Sequence, residues 1–153
     1  MNTKQLEVIA FLNKAFHLEK NITALVAVHE SNISLAERCT ASYENSGAGR
    51  AINNENSQEN IIHKIIDLSA KINNEIDKLI DARNEVSELI NSLGNAEYKA
   101  ILTRRYLLYQ SMQEIANVMN YSGRTIQRKH KDAIDNITPF IVMENNVDKV
   151  VDK

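Results

Sequence analysis

Apolar residues recur along the first part of the chain at alternating steps of three and four. Val8, Phe11, Ala15, Leu18, Ile22, Leu25, His29, Asn32, Ala36 and Cys39 form one series. Ile62, Ile65, Ser69, Ile72, Ile76, Leu79, Arg83, Val86, Ile90 and Leu93 form a second. That rhythm lines each series along one side of a helix and favours left-handed helix pairing. Between them, residues 44–57 contain SGAG and NNEN, which predict an exposed, mobile loop. Reversing one series brings Val8 beside Leu93, Leu25 beside Ile76, Asn32 beside Ser69 and Cys39 beside Ile62. The two polar residues Asn32 and Ser69 then share a layer; a slip of one heptad would separate them, at roughly 1 to 3 kcal/mol per unpartnered buried group. Residues 1–93 therefore read as a long antiparallel helical hairpin, coiled-coil-like and about 50 Å long at 1.5 Å per residue. Further apolar residues, among them Ile9, Leu12, Phe16, Val26, Ile61, Leu68, Ile80 and Leu89, flank the two series. One hairpin cannot cover them all, which predicts a homodimer or packing against another element.

After Leu93 the pattern changes to short helices with separate start signals. Gly94 is expected to end the preceding helix in the left-handed conformation, and Asn95 to cap the next. That helix runs to about Tyr106, with Ile101 and Leu102 on its buried side. Ser111 and Glu114 have the spacing of a capping box ahead of Ile115, Ala116 and Met119, so a short helix covers about 112–119. Asn120 and Tyr121 make a turn, and Ser122 caps a third helix. On that helix Ile126, His130, Ala133 and Ile137 share one face, while Arg124, Gln127, Arg128 and Lys131 occupy the opposite one. Pro139 is expected to stop it, leaving 139–153 as a tail that packs onto the body. The chain is thus all-α, with a hairpin followed by a three-helix unit at 95–138.

A short capped helix, a brief turn and a basic third helix make up a helix-turn-helix, whose last helix reads bases in the major groove. Arg with guanine and Gln with adenine are among the best bidentate pairs for that purpose. Charge follows the motif. Residues 95–137 hold seven Lys or Arg against four Asp or Glu, a local +3, so the remainder of a chain of net −2 stands at −5.

At Arg105-Tyr106-Leu107, Ser111, Glu114-Ile115-Ala116, Met119, Tyr121-Ser122, Ile126 and the segment from His130 to Ile137, the chain resembles region 4 of bacterial sigma-70-type factors. The segments RYLLYQSMQEIA and NYSGRTIQRKHKDAI look like phage and prophage proteins, with sigma-like phage regulators of late genes as the nearest functional relatives. The resemblance implies a role at promoters through double-stranded DNA, RNA polymerase or both. By position it implies that Ser122, Gly123, Arg124, Gln127 and Arg128 face DNA. Lys131, one turn further on, is placed for a phosphate. Gly123 stands where region 4 usually has a larger polar residue, and Tyr109-Gln110 replace small flexible ones.

Other chemistry finds little support. His17, His29, His63 and His130 do not fall at ligand spacing and Cys39 is the one cysteine, so neither a metal site nor an intrachain disulfide is expected. His130 reads as a packing or phosphate-contacting residue. There is no Gly-rich phosphate loop and no nucleophile elbow, so no cofactor and no enzymatic activity are expected. No apolar run is long enough to cross a membrane and no signal peptide precedes Thr3, which suggests a cytoplasmic protein. Two other readings of the same architecture are a phage small terminase subunit and an RNA-polymerase-binding interaction protein without DNA contacts.

Overall fold

The computed structural model describes the backbone of residues 2–45 and 51–148 and the side chains of 2–42 and 57–141. Among these residues the chain is all-α, with five helices: α1 (Thr3–Asn45), α2 (Ala51–Asn91), α3 (Ala96–Tyr106), α4 (Met112–Met119) and α5 (Gly123–Asp148). None is long and apolar enough to cross a membrane. The chain divides into two compact units, one of Met1–His17 with Leu79–Lys153, the other of Leu18–Lys78.

The larger unit is built around α5. Its apolar face contributes Ala133, Ile134, Ile137 and Ile141 to a cluster with Val8 and Leu12 of α1, Val86, Leu89, Ile90 and Leu93 at the end of α2, and Leu102 and Tyr106 of α3. Nearer the start of α5, Ile126 joins a second cluster with Ile101 of α3 and Ile115 and Ala116 of α4, closed by Met112 and Met119. Each fully buried isoleucine contributes about 1.5 to 3 kcal/mol relative to exposure. Polar contacts border these clusters: Lys14 pairs with Glu85, and the Gln5 amide bonds Asp135.

In the unit of Leu18–Lys78, Ile22 and Ile72 are buried, and Leu25, His29, Asn32 and Ala36 follow at helical spacing as half-buried positions. Ala36, Cys39 and Thr40 of α1 line one recess with Gln58, Ile61 and Ile62 of α2. The inward phase of α2 differs from the expected one. Ile61, Ile65, Leu68 and Ile72 turn in, whereas Ile62 and Ile76 are exposed, and in the other unit Ala82 and Leu89 are as buried as Val86 and Leu93. The cause is sequence degeneracy. Ile61-Ile62, Ile65-Ile66, Leu79-Ile80 and Leu89-Ile90 are apolar doublets, so periodicity alone does not say which member faces inward.

Several boundaries also differ. The expected loop at 44–57 is shorter, because α1 reaches Asn45 and α2 starts at Ala51, so Ala51 to Ser57 are helical; residues 46–50 lie outside the described residues. Gly94 does not take a left-handed φ. Instead α2 closes by tightening: Leu93 N–H donates to Ile90 O at 3.2 Å and the Ser92 hydroxyl to Leu89 O at 2.5 Å, the i→i+3 pattern of a narrowing last turn.

The largest departure is at Pro139, which does not stop the helix but lies inside α5. A proline at a helix interior costs about 3 kcal/mol, through a lost amide donor and a clash one turn back. Ile137 before it is fully buried and Ile141 after it is 8 % exposed, both in the larger cluster. Leaving the helical path at 139 would expose Ile141, a loss of about 1.5 to 3 kcal/mol that offsets much of the proline's cost. Expected as a separate tail, the segment from 139 instead continues α5 as far as Asp148.

Replacing Pro139 by Ala should restore the missing backbone bond without touching the core, since Pro139 is exposed. The expected outcome is a gain of about 1 to 3 kcal/mol in unfolding free energy, read from the urea midpoint at unchanged m-value. A loss of stability would mean that the ring itself contributes packing.

Candidate nucleic-acid interface

Three caps set the short helices. The Asn95 side chain accepts from the amides of Glu97 and Tyr98 at 2.9 and 3.2 Å, starting α3. Ser111 and Glu114 make both halves of the capping box: Glu114 N–H donates to the Ser111 hydroxyl at 3.2 Å, and Ser111 N–H to the Glu114 carboxylate at 2.6 Å. Hydrogen bonding from Ser111, its backbone N–H first and its side chain second, holds the Glu114 carboxyl below its usual pKa. Ser122 caps α5 by accepting from Thr125 N–H at 3.2 Å. The helices begin where the cap residues predict.

The turns on either side of α4 use left-handed residues other than glycine. Asn120, at φ 57° and ψ 41°, ends α4 with its N–H on Ala116 O, a position where Asn is tolerated. Tyr109, at φ 56°, is less usual. Its ring lies edge-on to Phe16 at 5.3 Å, with the Arg83 guanidinium 6.0 Å from its centroid. The same bend is tied by arginines: Arg105 donates to Gln110 O at 3.0 Å, Arg104 to the Gln110 side chain at 3.3 Å, and Arg83 to Leu107 O at 3.1 Å. None of these arginine roles was read from the sequence; the unusual Tyr109-Gln110 pair was the only sign.

On α5 the two faces separate cleanly. Ile126, Ala133 and Ile137 are fully buried and His130 is 8 % exposed, while Arg124, Gln127, Arg128 and Lys131 all face solvent. Spacings of i, i+3, i+4 and i+7 bring these four onto one side within two turns. No ion pair among the described residues engages Arg124, Arg128 or Lys131. Of the other expected contact residues, Ser122 is exposed with its hydroxyl committed to the cap and to Thr125 Oγ1 at 2.8 Å, and Gly123 is half-buried. A Cβ at Gly123 would meet Gln113 Oε1 at 3.6 Å, ordinary contact, so sterics do not require glycine there.

Lys129, which the sequence did not single out, plays a different part. Its ammonium pairs with Glu97 of α3 at 2.6 Å and lies 5.0 Å from the Tyr121 ring centroid. The Glu97 carboxyl is lowered by hydrogen bonds from Lys129 first and Tyr121 second, while the Lys129 ammonium and the Tyr121 phenol are raised, in each case chiefly by their bond to Glu97. This cation links α5 and the turn to α3, so its charge is already matched. A position three residues after the buried Ile126, at the border of the apolar face, was the available signal.

His130 packs rather than faces a ligand. Its Nε2 is 2.9 Å from the Tyr106 hydroxyl, with both side chains in the interior. Burial pushes the Tyr106 phenol up to about 12 and His130 down to about 4, the latter with help from the nearby Arg105 charge. No cluster of metal-ligating side chains occurs among the described residues.

A family profile described as "Protein of unknown function (DUF1492)" matches residues 49–138. The chain belongs to this family. The DUF1492 match takes in all of α2, α3 and α4 and α5 as far as Thr138, so the capped helices and the basic face lie inside the family's own extent. No curated protein and no solved structure matches the chain.

A neutral His130 has a pH signature. Its folded pKa of about 4 lies below the ordinary 6.5, so the unfolded chain takes up the proton first. The stability involved is fully present above pH 6.5 and is lost as pH falls from there towards 4, by at most about 3 kcal/mol. The His130→Gln variant should therefore lie well below wild type at pH 7 and close much of that gap by about pH 4.5, in urea melts at both pH values. A gap independent of pH would mean that His130 is not the group that titrates.

Proposed function

We propose that this chain is a sequence-specific DNA-binding transcriptional regulator of the sigma-region-4 type, phage or prophage encoded and acting in the cytoplasm. In this reading a helical hairpin carries a helix-turn-helix made of α4, the turn Asn120 to Ser122, and α5. The start of α5 lies in the major groove, with double-stranded DNA as the partner and RNA polymerase as a second contact at promoters.

The observation that carries the reading is the division of α5 into two faces. Ile126, His130, Ala133 and Ile137 lock one side into the core, and that leaves Arg124, Gln127, Arg128 and Lys131 together on the other. A helix held this way cannot turn its basic side inward without exposing three fully buried apolar residues. Arg124 and Arg128 are where bidentate contacts to guanine O6 and N7 are made, near the helix start, and Lys131 is one turn deeper, at phosphate reach. The eight-residue α4, capped at both ends, supplies the preceding helix of the motif.

Arg124→Ala or Arg128→Ala should cost about 1 to 3 kcal/mol on the specific site and much less on random DNA. Lys131→Ala should weaken both nearly equally and lower the salt slope by about one unit. The specific site comes from genome-wide mapping of bound DNA in the native host, and the comparison from binding titrations at several salt concentrations. Equal losses on specific and random DNA for the arginine variants, with helicity intact, would overturn the reading. No DNA binding together with retention of RNA polymerase would leave an interaction protein. A closed ring of many subunits on DNA would favour a terminase small subunit.

A further inference from the structure

The doublets of α2 leave a second apolar stripe. Ile61, Ile65 and Leu79 are half-buried, while their neighbours Ile62, Ile66 and Ile80 remain 52, 58 and 52 % exposed, and Ile76 is 37 % exposed. With Ser69 and Asn73 between them, these residues fall at 62, 66, 69, 73, 76 and 80, alternating steps of four and three. That is an unbroken heptad seam on a side of α2 separate from its buried phase. Single exposed apolar side chains are ordinary; a run of them over about 27 Å of one helix is not.

The order of residues in this seam says what covers it. Read from either end it is Ile, Ile, polar, polar, Ile, Ile, centred on position 71. A second α2 laid antiparallel on the first puts Ile62 against Ile80, Ile66 against Ile76 and Ser69 against Asn73, so every apolar layer meets an apolar one and the polar residues meet each other. Along the flank the seam carries His63, Ala70 and Asp77 at seven-residue intervals. The antiparallel arrangement sets His63 opposite Asp77 and puts the small Ala70 at the axis, where the helices approach closely. A parallel arrangement would carry the two flanks to opposite sides of the seam and leave Asp77 without that partner. Self-complementarity of this kind is what an isologous twofold contact requires, and an unrelated partner would have no need of it.

We infer that the chain forms a homodimer through an antiparallel α2–α2 seam with its twofold axis beside Ala70. On α1, Val26 and Ile33 are also exposed and repeat at seven residues; each directly follows a half-buried residue, Leu25 or Asn32, as the α2 seam follows its half-buried Ile61 and Ile65, and adds apolar surface of its own. Covering the isoleucines and these two residues in both chains removes roughly 1,000 Å² from water, the lower bound for a specific interface. The seam does not depend on DNA binding and is tested without it.

The test is sedimentation of the full chain. Wild type should be a dimer, and Ile66→Lys and Ile76→Glu should each be monomeric at the same concentration. The chain carrying both changes should be a dimer again, because each introduced lysine then faces the introduced glutamate of the second copy, whereas a parallel seam would oppose like charges. Both positions face solvent within one chain, so far-ultraviolet circular dichroism should stay unchanged. A monomeric or higher-order wild type, single variants that remain dimeric, or a double variant that remains monomeric would each overturn the inference. Should a charged variant lose helicity, Ala70→Cys in a Cys39→Ser background decides, treated with a short bis-maleimide: covalent dimer supports the seam, and its absence overturns it.

Discussion

The buried face of α5 is the constraint on which the larger unit depends. Ile126 closes one apolar cluster with α3 and α4, and Ala133, Ile134, Ile137 and Ile141 close another with the ends of α1 and α2 and with α3. Because one helix serves both clusters, its rotation about its axis is set twice over. Turning it by a single residue, about 100°, would remove all five from their sites. The solvent-facing cations are therefore a consequence of core packing as much as of their own polarity.

Polar contacts then fix what hydrophobic burial leaves soft. Apolar packing is non-directional and would accept a range of tilts between α3 and α5. The Glu97–Lys129 pair beside Tyr121, and the Tyr106–His130 bond, narrow that range near the two ends of α3. The ion pair is modest in itself, because solvent screening and the ordering of two side chains offset most of its attraction. The value of both contacts is in direction: they join side chains that must meet at one angle. The arginines around Leu107–Gln110 do the same for the bend between α3 and α4, by bonding the Leu107 carbonyl that the end of α3 leaves open and the Gln110 carbonyl just before α4.

The sequence was most legible where a local rule decided the outcome. Asn95, Ser111 with Glu114, and Ser122 start their helices at the expected residues, because a cap depends only on neighbours within one turn. The same holds for the outward quartet on α5, which follows from the position of Ile126 and a 3.6-residue period. Legibility failed where the decision was tertiary. Pro139 looks like a stop until the burial of Ile141 is known. The inward phase of α2 cannot be chosen from Ile61-Ile62 or Ile65-Ile66, since both members satisfy the pattern. Gly94 reads as the left-handed residue, yet the last turn of α2 closes through Ser92. The partner of Lys129 is hidden for a related reason: Glu97 is 32 positions away, and only the packing of α3 on α5 brings the two together.

The turns around α4 have a consequence for the unfolded chain. Both left-handed positions among the described residues outside glycine, Tyr109 and Asn120, carry side chains, and neither Gly94 nor Gly123 adopts a positive φ. A glycine turn is easy to form but starts from a very large set of open-chain conformations, all of which must be given up. Here the native backbone is the more strained one, and the disordered chain has less freedom to lose. Strain at Tyr109 is held by its ring against Phe16 and Arg83, in addition to the arginine bonds to Leu107 and Gln110. The α3–α4 junction thus couples a local backbone choice to an aromatic contact far away in sequence: loosen the ring and the turn loses one of the contacts that keep it left-handed.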